Sequence, residues 1–275
     1  MQKIIYILVF LFSSATSVSA QIKNYYVDEL ITQLDGGSCK YEPPGMAVIL
    51  EESKITPPCE RRQMFASFKR RHDNYQCIVD AAFCLAYLKE EANTAVPVLI
   101  KALKKYRNVY TGDGSIAVRS YIADALGLIG DSRAISPLID ILQTDEPDDV
   151  SPGASLGSPM FGTYQDAVMS ALGRFGPEAK EAIPYIIPFL KTSNCSAAYA
   201  LGKIGDSQSI PVLIEALNNP ECYYVAAGAL SEFGVKAKGA LPALYQLRDS
   251  LLEKPDNFEN NEVKEAIKVI EKTIR

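Results

Sequence analysis

Apolar residues recur along much of this chain at steps of three and four, the period of one face of an α-helix. The run "CSAAYALGKIGDSQSIPVLIEAL", Cys195 to Leu217, shows the pattern twice. Ala198, Leu201 and Ile204 line one side of a first segment, and Ile210, Leu213, Ile214 and Leu217 one side of a second. Between them stand Gly205 and Asp206. A residue without Cβ closes a helix in the left-handed conformation at little steric cost, and an aspartate side chain accepts from the open N–H groups that start the next helix. The pattern therefore predicts a helical hairpin with one apolar face per helix.

The hairpin is spelled repeatedly. "DALGLIGD" from Asp124 shares six of eight letters with "YALGKIGD" from Tyr199; "SALGRFGP" from Ser170 and "GALSEFGV" from Gly228 are looser copies, and "CLAYLKE" from Cys84 is fainter. Each is followed by a second phrase: "AVPVLIKAL" from Ala95, "AISPLIDIL" from Ala134, "AIPYIIPFL" from Ala182, "SIPVLIEAL" from Ser209 and "ALPALYQL" from Ala240. Five two-part units in succession predict a stacked array. The terminal glycines Gly130, Gly176, Gly205 and Gly234 are the expected left-handed helix ends. The inner glycines Gly127, Gly173 and Gly202 each cost about 1 kcal/mol against alanine, so close helix approach is the expected reason for them. From terminal glycine to the first apolar residue of the second helix the turn takes five residues in the second and fourth units and seven in the third and fifth. In the first unit Lys89 stands where the others have glycine, again seven residues before Val96.

These words resemble the short bacterial HEAT-like repeats related to phycobilisome lyases, whose units read "ALGxIGDxxAIxxLIxxL". The resemblance spans 76–275 and is strongest in the second and fourth units. It implies an all-α fold, a right-handed α-solenoid of about five hairpins. Members of the family mostly look like protein-binding scaffolds, while a few are lyases of bilin pigments or metal-dependent hydroxylases built on His-Glu pairs. The single histidine here, His72, is followed by Asp73, so the hydroxylase metal site does not carry over.

The expected organisation has four parts. Residues 1–20, "MQKIIYILVFLFSSATSVSA", read as a secretory signal peptide, with an apolar run from Ile4 to Phe12 and Val18-Ser19-Ala20 as the cleavage site. That run is too short to span a bilayer. Residues 21–73, with Pro43, Pro44, Pro57 and Pro58, are expected to form an irregular, disulfide-tied N-terminal cap. The repeat array follows over 74–255, and 256–275 forms a capping helix whose "EVKEAIKVIEKTI" covers the open apolar end that such arrays otherwise leave.

Composition narrows the function. The net charge of −5 disfavours general binding to nucleic acid, which rests on neutralising phosphates. Six cysteines in a chain read as secreted or periplasmic suggest disulfides, with 15 pairings open. Cys77 and Cys84 sit seven residues apart on one expected helix, too far for a bridge. Cys195 and Cys222 each precede the first helix of adjacent units and are the favoured pair. The pairing of Cys39, Cys59, Cys77 and Cys84 stays open.

Two insertions interrupt the array, near 104–120 and 143–165, at the same kind of turn in successive units. Insertions in repeat arrays often supply binding loops on one edge. The first offers Tyr106, Arg107 and Tyr110, the second Met160, Phe161 and Tyr164, residue types that anchor interfaces. The alternative is that these aromatics pack the loops onto the array. Other motifs carry less. "GASLG" lacks the strand before it that a nucleophile elbow needs. "DEPDDV" has proline where a calcium loop needs glycine. "GDGSIA" follows no strand. The basic residues Arg61, Arg62, Lys69, Arg70 and Arg71 read as a solvated helix face.

No set of nucleophile, base and orienter appears, and no cofactor or metal ligands. The expected function is an exported, non-catalytic scaffold holding a protein partner on its concave helix face and edge loops. The alternative is a lyase-like enzyme or accessory protein.

Overall fold

A computed structural model describes residues 74–107, 118–144, 164–192, 194–252 and 260–274, together with 27, 28, 30–32 and 34. The described residues form helices joined by short turns, without strands, in an α-solenoid. Five first helices, α1 (Asn74–Leu88), α3 (Val118–Ile129), α5 (Tyr164–Arg174), α7 (Cys195–Ile204) and α9 (Tyr223–Glu232), alternate with five second helices. These are α2 (Val96–Lys105), α4 (Ile135–Thr144), α6 (Ile183–Leu190), α8 (Ile210–Ala216) and α10 (Leu241–Leu252). The last helix, α11 (Asn260–Ile274), packs on α9 and α10.

The turn chemistry is the one the repeated words imply. Gly130, Gly176, Gly205 and Gly234 all take positive φ, and Gly205, at φ 72°, donates its N–H to the Leu201 carbonyl. Lys89 takes the same conformation at φ 51°, because it occupies the equivalent turn position without being a glycine. Asp131 and Asp206 accept from the N–H groups of Arg133 and Gln208, both at 3.0 Å. Proline near the start of α2, α6 and α8 removes an N–H that would have had no helical partner.

The alternating turn length also has a structural form. Each turn is a 3₁₀ helix, of seven residues in Lys89–Ala95, Gly176–Ala182 and Gly234–Ala240 and of three in Ser132–Ala134 and Ser207–Ser209. The long form buries two alanines three residues apart, Ala92 and Ala95, Ala179 and Ala182, or Ala237 and Ala240. The short form buries one small residue, Ala134 or Ser209.

One continuous core runs along the stack. Leu85, Leu126, Leu172, Leu201 and Leu230 hold the same place in successive first helices, and all are fully buried. Leu99, Leu138, Ile186, Leu213 and Leu244 do the same in the second helices. The two rows pack differently. First helices meet along their length, whereas second helices touch each other at few points. The inner glycines explain the difference: a Cβ on Gly127 would lie 2.6 Å from Ala171 Cα, one on Gly173 3.1 Å from Ala200 Cα, and one on Gly202 2.8 Å from Ala229 Cα. Glycine on one first helix thus receives the alanine of the next.

The ends are covered. On α11, Val263, Ala266 and Ile270 are buried, while Lys264, Glu265, Lys268 and Lys272 lie exposed on the outer face. Tyr245 of α10 donates its hydroxyl to Glu271 at 2.5 Å. At the other end residues 27, 28, 30–32 and 34 are helical, and Val27, Leu30 and Leu34 enter the core. The remainder of the expected N-terminal cap and the expected signal peptide lie outside the described residues. Among the described residues no helix is long and apolar enough to cross a membrane.

Candidate partner-binding face

Tyr106 and Tyr164 stand where the two insertions meet the array, and both are core residues. Tyr106 closes α2 with 5% of its surface exposed, and its hydroxyl donates to the Leu34 carbonyl at 3.1 Å. Tyr164 opens α5 with 2% exposed, and the Arg119 guanidinium lies over its ring at 4.2 Å. The interface-anchor reading of these two is thereby corrected: buried rings fasten the loop ends and present no contact surface. The reason is that each falls on the helical period of the element it joins, so its ring continues that element's apolar face. Arg107 is exposed in the turn after α2. Tyr110, Met160 and Phe161 lie outside the described residues.

A different set of side chains is presented to solvent. A first helix is flanked by the first helices on either side and backed by its own second helix, so only a narrow stripe of each stays open. On α1 that stripe carries Tyr87, on α3 Leu128, on α7 Tyr199 and on α9 Tyr224, all more than a third exposed. Aligned by the repeated word, Tyr87, Leu128, Arg174, Lys203 and Glu232 occupy one position, and Asp124, Ser170, Tyr199 and Gly228 another, one turn earlier. Two equivalent positions per unit thus lie on this face, and on α9 Tyr224 stands one turn before the second of them. Its outward aromatics were legible only as odd letters in the repeat: tyrosine opens "YALGKIGD" where the other copies have aspartate, serine or glycine.

Charges on this face are matched across units. Arg174 on α5 is ion-paired with Asp124 on α3, and Lys203 on α7 donates to Glu232 on α9 at 2.7 Å. The hydrogen bond that Lys203 donates to Glu232 holds its ammonium above the ordinary lysine range. Lys203 Nζ also lies 5.8 Å from the Tyr199 ring centroid. On the turn edge, Arg133 pairs with Asp131 at 2.6 Å and donates to the Asn93 carbonyl at 2.8 Å, tying the second unit to the first.

Cys195 and Cys222, at the starts of α7 and α9, have their sulfurs at bonding distance and their Cα atoms 5.1 Å apart. The pair lies at the same end of the two helices that carry Tyr199 and Tyr224. Cys84 is buried within α1.

Comparison with known proteins gives two family matches. The HEAT repeats model matches residues 67–154, and the PBS lyase HEAT-like repeat model matches 194–219. No curated protein matches the chain. Among solved structures, a chain of the CpcE and CpcF complex of phycocyanin lyase from Nostoc shares 16% identity, with 74% of this chain and 96% of that one covered and a TM-score of 0.41. Human deoxyhypusine hydroxylase shares 17% identity, with 93% of this chain and 99% of that one covered and a TM-score of 0.32.

Proposed function

Because this chain is a HEAT-like repeat protein, we propose that it acts as an exported, non-catalytic scaffold that holds a protein partner on its first-helix face. The observation that carries this reading is the exposure of Tyr199 and Tyr224 on consecutive first helices, 41% and 38%. Tyrosine is enriched among the residues that dominate interface energies, because a rigid ring buries much apolar surface while its hydroxyl still finds a partner. Close packing of the first helices supports the same side: a stack bends toward its tighter row, and that row becomes the concave surface that repeat arrays offer to partners.

A lyase accessory is the second reading, favoured by the match of residues 194–219 to the PBS lyase HEAT-like model, the unit that carries Tyr199. Both readings place a protein on this face.

The test is site-specific photo-crosslinking in the cells that make the protein. A benzophenone side chain at position 199 or 224 is expected to trap one discrete species. At Tyr185, exposed on the second helix α6, it is expected to trap none. Trapping from 185 with none from 199 and 224 would move the binding face to the second helices. A trapped enzyme subunit would select the accessory reading.

A further inference from the structure

We draw no further inference here: the strongest candidate, the exposed Tyr199–Tyr224 surface of α7 and α9 with the Glu262 carboxylate beside Gly228, belongs to the face already described, and nothing in the structure shows what covers it.

Discussion

Replacing Gly202 with alanine tests the packing rule of the stack most directly. In an open helix the change stabilises, by about 1 kcal/mol, because alanine has the better helix propensity. Here the new Cβ would stand 2.7 Å from Ala229 Cβ and 2.8 Å from its Cα. Carbon atoms in contact need about 3.5–4.0 Å, so α7 and α9 would have to part by roughly 1 Å. Both opposing atoms belong to a helix held on its far side by α11, and neither is the end of a flexible side chain. Overpacking of this kind costs about 1–3 kcal/mol, and the upper half of that range applies. After the propensity gain the net effect is a destabilisation of about 1–2 kcal/mol. Gly173→Ala is the internal control, since its Cβ would meet Ala200 Cα at 3.1 Å and need a shift of only tenths of an ångström. It should fall near neutral. Urea unfolding followed by circular dichroism, with wild type and both variants in parallel, reads the order. Ala229→Gly in the Gly202→Ala background should recover part of the loss by removing one of the two contacts. A Gly202→Ala midpoint above wild type would show that the helices do not meet at glycine.

Three further outcomes are expected. Lys89→Gly should raise stability by about 1 kcal/mol in the same urea assay, because an L-residue at φ 51° bears a strain that glycine lacks. A Cys195→Ser, Cys222→Ser double variant should lose roughly 3–4 kcal/mol, the chain-entropy value for a loop with a sequence separation of 27; mass spectrometry of unreduced protein should find the two residues joined, and free thiols there would remove the bridge. Asp131 should show a pH signature, its carboxyl held below the ordinary value of 3.8 chiefly by its hydrogen bond with Arg133. A depressed carboxylate contributes stability above its unfolded value and loses it as pH falls through the folded one. The difference in thermal midpoint between wild type and Asp131→Ala should therefore be constant above about pH 5 and shrink below pH 3.8.

The repeated words determined the hairpin, the stacking and the position of each turn, because these follow from short-range chemistry. A 3.6-residue period sets a buried face, a glycine releases the helix end, and an aspartate opens the next. The same reasoning pointed to Cys195 and Cys222, since both stand at the starts of the first helices of adjacent units, and the structure brings their sulfurs to bonding distance. Tertiary structure decided what each residue faces. That Gly127 receives Ala171, and Gly202 Ala229, depends on the offset between helices a whole unit apart. Whether a tyrosine is core or contact surface depends on the same geometry. Tyr106 and Tyr164 looked like interface anchors by composition, yet each lies on the inward side of the helix it adjoins and fastens the loop end there. Tyr199, inside the most regular word of the chain, points out, because neighbours on both flanks leave a first helix only one narrow open stripe. A single helix cannot show which of its sides that stripe will be; the packing of its neighbours selects it.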